Sequence, residues 1–335
     1  MRLRRCRDEP TAFAFTECDD NALDACTLYK ACDRHKSCTG RGSCSAQGTC
    51  ECDEGWQGID CSIASDPAWV EDFNGDTLNS SLWKVYVGCR GGGNGEAECY
   101  TAQKDNVFVQ RGSLVLQAVR EDYPGTKQGC SDPDPASCLN GGAFRSGRVD
   151  SPPDKGFAYG RVEMRAKMPQ EKWAWPALWM APVRQVYGFW PASGEIDISE
   201  VRAGPHAAET FGTIHFGADW RSHRYLEGST KAAGDLTAAF HEYAVEWTPD
   251  AIEWFVDGDK FHHQRTDRCF PGEGHMRAPF DIPMGLILNL AVGGNFFPDW
   301  PTAGVPPDAI ARGWPHGRSQ LLVDRVAYFP RHPPQ

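Results

Sequence analysis

Long apolar runs are missing from this 335-residue chain. None approaches the roughly 20 residues that a membrane-spanning helix needs, so no bilayer crossing is expected. Basic charge is scarce too. The 34 Lys and Arg are outnumbered by 45 Asp and Glu, for a net charge of −11, which argues against a protein that tracks nucleic-acid phosphates. Helical periodicity with capping signals is nearly absent; Leu236–Phe240 is at most a turn or two. The amino terminus, Met1–Pro10, is basic with no apolar stretch behind it, so it does not read as a secretory signal as it stands. What is present is a hydrophobic fraction of 41%, enough for a full globular core, together with 14 Cys and 12 Trp.

Nine of the 14 cysteines fall before residue 62. Residues 32–61 read Cys-x5-Cys-x5-Cys-x5-Cys-x-Cys-x8-Cys, without the Cys-x2-Cys pairs that a zinc site would use. Thirty residues cannot build an apolar core and need covalent staples, which points to an oxidising, extracellular setting. The ending Cys50-x-Cys52-x-x-Gly55-Trp56-x-Gly58-x-x-Cys61 resembles an EGF-like module. That resemblance implies the pairs Cys32–Cys44, Cys38–Cys50 and Cys52–Cys61. Tyr29-Lys30-Ala31 stand where the calcium-binding subtype has acidic residues, so no calcium is expected in the module. A spacer or adhesion role is expected, for a partner that the sequence does not name. The expected layout is a cysteine-containing leader at 1–31, the module at 32–61, a polar linker at 62–67, one large domain at 68–330 and a tail at 331–335. Secretion together with the bare amino terminus suggests that the signal peptide is missing from this chain.

From residue 68 onward the pattern is period-two alternation broken by Gly, Pro and Asp-Gly turns. In Arg161–Met168, Val162, Met164, Ala166 and Met168 take one face and Arg161, Glu163, Arg165 and Lys167 the other. Val107–Val119 reads as a hairpin turning at Arg111-Gly112. Tyr243–Trp247 and Ile252–Val256 form a second around Pro249-Asp250, and Gly285–Val292 and Leu321–Phe329 are further strands. Many short strands with no interleaved helices predict an all-β fold, a sandwich of two antiparallel sheets.

The most informative segment is Trp190-Pro191-Ala192-Ser193-Gly194-Glu195-Ile196-Asp197-Ile198-Ser199-Glu200. In a regular strand Glu195 and Asp197 share a face, with Ile196 and Ile198 on the other. Strict alternation would send Glu200 to the apolar side as an unpaired buried charge. One extra residue, a β-bulge between 197 and 200, returns it to the acidic face. Two Glu side chains leaning together could then approach to about 5–6 Å, near the separation of a retaining glycosidase and short of the room an inverting enzyme needs for water. A solvated acidic strand edge would not explain the Ile alternation, or Trp173, Trp175, Trp179 and Trp190 just upstream.

This segment resembles the signature of glycoside hydrolase family 16, in its laminarinase (endo-1,3-β-glucanase) branch. The resemblance runs over about residues 68–330. It includes Trp175-Pro176-Ala177-Leu178-Trp179-Met180, Gly212-Thr213-Ile214-His215-Phe216-Gly217 and Leu288-Asn289-Leu290-Ala291-Val292-Gly293-Gly294. It implies a β-jelly roll whose concave sheet carries a substrate cleft, with Glu195 as nucleophile, Glu200 as acid/base and Asp197 between them. His215 is implied to support the nucleophile from within the cleft. Trp175 and Trp190 are expected to stack on sugar rings, with Trp179 divided between cleft and core. Asn289, alternating with Leu288 and Leu290, is expected to bind a sugar hydroxyl, and Glu96 matches an acidic loop position of the family. No cofactor is required. A structural calcium away from the cleft is implied at Asp72 and Asp324, with the Gly112 carbonyl, although both acids could equally serve as surface or ion-pair residues.

The expected function is therefore secreted, retaining hydrolysis of a β-1,3-glucan. The readings beside it are a glucan transglycosylase and a hydrolase of mixed-linkage glucan, agar or carrageenan. A non-catalytic glucan-binding protein on the same fold would typically lack the two glutamates. The cysteines add a parity constraint. Cys89/Cys99 and Cys130/Cys138 suit local loops, so the simplest expectation pairs Cys269 with one of Cys6, Cys18 and Cys26 in the leader, the alternatives being two free thiols or partners lost with the missing amino terminus.

Overall fold

The computed structural model describes residues 37–332 apart from 47, 90–92, 133–134, 267–276 and 301–312. Two sheets face each other across one apolar core. The seven-stranded sheet runs in the order Arg224–Thr230, Thr210–Phe216, Glu195–Val201, Ala174–Pro182, Met284–Val292, Arg148–Asp150, Lys84–Val85. The ten-stranded sheet opposite is centred on Gly160–Lys167 and Arg318–Phe329, flanked by His241–Trp247 and Ser113–Tyr123. Among the described residues, no helix is long and apolar enough to cross a membrane.

Alternation decides what fills the space between the sheets. Val162, Met164 and Ala166 point inward from one side, and Ile196, Ile198 and Ile214 from the other. The hairpin of His241–Trp247 with Ala251–Val256 places Tyr243 opposite Val256, Val245 opposite Trp254 and Trp247 opposite Ile252, all buried. Truncating one such core Trp typically costs about 3–5 kcal/mol. The Arg111-Gly112 hairpin also forms, joining Val107–Gln110 to Ser113–Tyr123. The sheets are not wholly antiparallel, however: Gly142–Ser146 pairs in parallel with Glu98–Tyr100.

The EGF-like segment carries Cys38–Cys50 and Cys52–Cys61. Cys44 is also disulfide-bonded, but residue 32, its expected partner, lies outside the described residues, as do the leader and Cys269. Cys89–Cys99 and Cys130–Cys138 close local loops. Residues 62–67, expected as a linker, begin as a docked strand. Ile63–Ala64 pairs with Trp56–Gln57, and Ile63 is buried against Ala327 and Phe329 of the sandwich. The segment is fastened at several further points. Ile59 N–H donates to Glu246 Oε2 at 3.2 Å, Arg331 meets Asp60 at 3.3 Å, and His332 N–H donates to the Ser62 carbonyl at 2.7 Å. Arg41 stacks 3.9 Å above the Trp56 ring and donates to the His332 carbonyl.

Shared apolar contact and backbone bonding of this kind make the small unit and the sandwich melt together. Calorimetry should show one transition for both. Trp56→Ala, which removes the platform under Arg41, should lower that single midpoint by about 1–3 kcal/mol equivalent. An early, separate transition for the cysteine-rich unit would contradict the docking.

Candidate active site

Cross-strand register sets the floor of the seven-stranded sheet in rungs. Glu195 lies opposite His215, which lies opposite Tyr225. Asp197 stands between Trp179 and Thr213, with Glu227 beyond Thr213. Glu200 stands between Ala177 and Phe211. The register shifts between Asp197 and Glu200, and it shifts against the neighbouring strand at Leu178–Trp179. This is the expected bulge, and it turns all three carboxylates to one face while Ile196, Ile198 and Val201 stay in the core.

The bulge is held from behind. Trp254 of the opposite sheet donates its indole N–H to the Asp197 carbonyl at 2.8 Å. The approach is possible because residue 212 is glycine: a Cβ there would sit 2.4 Å from the Trp254 ring. Gly228 on the next strand leaves similar room for His262, which packs 4.7 Å from Trp254 between ring centroids.

Each catalytic-type glutamate has its own indole donor. Trp190 Nε1 reaches Glu195 Oε2 at 3.2 Å, and Trp175 Nε1 reaches Glu200 Oε1 at 2.8 Å. His215 Nε2 lies 3.1 Å from Asp197 Oδ2 and 3.7 Å from Glu195 Oε1. Asp197 Oδ2 is buried without a hydrogen bond, the His215 approach being an ion-pair contact. Burial first, and then Asp197, pushes Glu195 and Glu200 each up to about 8. Burial, then Glu227, holds Asp197 well above the usual aspartate value. Such a cluster keeps at least one proton at neutral pH and places its negative charge where donors are nearest.

The sequence profile of the Glycosyl hydrolases family 16 matches residues 94–305. A glucan endo-1,3-beta-glucosidase of Cryptopygus antarcticus is 37% identical over 233 residues, covering 68% of this chain and 81% of that protein. The chain belongs to glycosyl hydrolase family 16. A glucan endo-1,3-beta-glucosidase A1 of Niallia circulans is also 37% identical, over 72% of this chain, which spans only 36% of that longer protein. The crystal structure of the laminarinase from Rhodothermus marinus superposes with a TM-score of 0.64 at 33% identity, covering 81% of this chain and 99% of that one. A Teneurin-like EGF domain profile matches residues 34–64.

In this family 16 hydrolase the remaining expected residues divide. Trp175, stacked on Phe296 at 4.6 Å, and Trp190, 45% exposed, border the carboxylates and present ring surface. Glu96 is bridged to Gly293 beyond the strand Met284–Val292, where its carboxylate accepts from Asn94. Asn289 is not free to meet a sugar. It is buried, accepts from Trp179 Nε1 at 2.7 Å and donates to Tyr100 Oη at 2.9 Å. It therefore fixes Trp179 in place, because its strand is covered by Glu98–Tyr100 rather than open to the cleft. Of the expected calcium residues, Asp72 accepts from the Asn74 N–H, and Gly112 lies beside the Asn74 side chain. Asp324 pairs with Arg165 through one oxygen, and its other oxygen is buried without a partner. Glu71 Oε2 is equally bare, on a strand that pairs with Asp324's own strand.

Three contributors escaped the sequence reading. Glu227 is a fourth carboxylate on the cleft face, exposed on the edge strand, raised by partial desolvation and drawn down by Arg202. Its only signal was alternation with Tyr225 and Ser229 on an edge strand. Phe296 backs Trp175, and His223 reaches His215 from a turn; neither lies in an alternating segment.

Two outcomes follow for this site. Gly212→Ala should push Trp254 off the bulge and lower kcat on the order of 10²-fold, as small misplacements of reacting groups do; unchanged kcat would show that the indole contact is dispensable. A carboxyl such as Glu200, held at about 8 in the fold against an ordinary 4.5, stabilises fully below pH 4.5, a contribution lost as pH rises through 8. Glu200→Gln should therefore match the wild type in thermal midpoint at pH 4.5 and exceed it by several degrees at pH 9.

Proposed function

We propose that this hydrolase is a secreted, retaining endo-β-1,3-glucanase of the laminarin-degrading type. The observation that carries the reading is the bulged strand, which presents Glu195 and Glu200 on one wall, each against its own indole donor. His215 stands at Glu195 and Asp197, so negative charge is favoured there and the proton is left to Glu200. Glu195 attacks the anomeric carbon; the C1–O bond to the leaving sugar breaks, and the Glu200 proton goes to the departing oxygen. Water, losing a proton to Glu200, then attacks C1 and releases Glu195. Asp197 shares its charge with Glu195 through His215. Trp175 and Trp190 offer flat ring faces to the C–H faces of glucose units.

Substrate preference follows the curated relatives, which are named for endo-1,3-β-glucan cleavage. The disulfides support an extracellular site of action. For calcium, the two bare carboxylate oxygens of Glu71 and Asp324 suit a hard cation, with Glu71 in the role first expected of Asp72. The ion would brace the carboxy-terminal strand of the ten-stranded sheet.

Reducing-sugar release from laminarin, mixed-linkage glucan, agarose and carrageenan tests the substrate reading, with laminarin expected to be cleaved fastest. Glu195→Gln should lose nearly all turnover, by at least about 10³-fold, while keeping glucan affinity. Retained turnover would sink the nucleophile assignment, and preference for agarose or carrageenan the substrate class. Chelation should lower the thermal midpoint, and added calcium restore it; no change would remove the ion.

A further inference from the structure

We propose that His223 is a positioning residue that keeps a proton on His215 Nε2, aimed at Asp197 and Glu195, throughout the reaction. The proposal rests on the catalytic reading of those carboxylates. It starts from geometry: His215 Nδ1 and His223 Nε2 are 2.8 Å apart, and the two rings are nearly parallel, 14° between planes, with centroids 5.0 Å apart.

A neutral imidazole has one N–H and one bare nitrogen. His215 Nε2 faces carboxylate oxygens at 3.1 and 3.7 Å. Where those oxygens are ionised, a bare Nε2 would set lone pair against lone pair, so beside the charged carboxylates Nε2 carries the hydrogen. Nδ1 is then either a bare acceptor, in neutral His215, or a second donor, in the cation. A neighbouring imidazole can meet both cases. It donates from Nε2–H to a bare Nδ1, or accepts at Nε2 from Nδ1–H after changing its own tautomer. His223 can therefore satisfy His215 Nδ1 in either role without the His215 ring turning away. Burial and the proximity of His215 hold His223 below the usual histidine value, which favours the neutral partner this requires.

His223 is itself braced. Asp219 accepts from the N–H groups of Arg221 and Ser222 and from the Ser222 hydroxyl, closing the turn that delivers residue 223. Trp190 packs on His223 at 4.6 Å between centroids, and Tyr225 lies on another side at 6.0 Å. Since Trp190 also donates to Glu195, Glu195, Trp190, His223 and His215 form a closed ring of contacts. Among the described residues, the charged and titratable groups facing this pair are Glu195, Asp197 and Glu200 from their own strand, and Tyr225 and Glu227 from the edge strand.

His223→Phe keeps the ring packing and removes the hydrogen bond; His223→Gln keeps an amide that can donate or accept. Nitrogen-15 NMR of labelled histidine reads the His215 tautomer directly, without any need for turnover. The wild type and His223→Gln should show hydrogen on Nε2, and His223→Phe a mixture of tautomers. On laminarin, His223→Phe should lower kcat about tenfold with KM within about twofold, the scale of one lost hydrogen bond, and His223→Gln should recover to within about threefold. A pure Nε2–H tautomer with full kcat in His223→Phe would overturn the proposal. So would a His223→Gln variant that folds yet behaves like the Phe variant. If the tautomer responds as stated but the wild type cleaves no glucan, the positioning role stands and the catalytic reading falls.

Discussion

A strand has a two-residue period, and three carboxylates spaced as Glu195, Asp197 and Glu200 cannot share one face of it without an extra residue. The active site depends on that mismatch. The bulge resolves it by shifting the register locally. Trp254 of the opposite sheet donates to the Asp197 carbonyl at that point. Its path is open because strand position 212 has no side chain. Core packing and catalytic geometry thus meet in one hydrogen bond. The ten-stranded sheet braces the carboxylate strand through this bond.

The same geometry creates an electrostatic load. Three carboxylates, with Glu227 beside them, sit where water is partly excluded, and burial raises their proton affinity. A fold selected for stability alone would put amides or apolar groups there. What makes the arrangement usable is the asymmetric distribution of donors: an indole for each glutamate, and an imidazole for Glu195 and Asp197. The docked cysteine-rich unit is remote from this cleft. It braces the carboxy-terminal strand through Ile63, Arg331 and His332, so it belongs to the stability of the sandwich as much as to any partner.

Much of this was legible from residues alone because alternation is a strong signal where one face is buried. Arg161–Met168 and the hairpin around Pro249-Asp250 revealed the ten-stranded sheet, Gly285–Val292 marked the other, and the failure of alternation at Glu200 revealed the bulge. The EGF-like and family 16 motifs are local in sequence and were legible for that reason. Other features depend on what covers a strand, which its own sequence does not encode. Asn289 alternates outward from Leu288 and Leu290, yet Tyr100 closes over it and turns it into a support for Trp179. Residues 62–64 look like a polar linker but find an apolar seat on Ala327 and Phe329. His223 sits in a turn, where periodicity carries no information, and its importance arises only from meeting His215 across the hairpin.

The claim on which the rest turns is that Glu195 and Glu200 act from one wall at retaining separation. It is tested most directly by proton NMR of laminarin during the first minutes of cleavage, before mutarotation equilibrates the new reducing ends. The account predicts that the β-anomer appears first and the α-anomer grows in afterwards. Initial appearance of the α-anomer would mean inversion through a directly attacking water, and would contradict it.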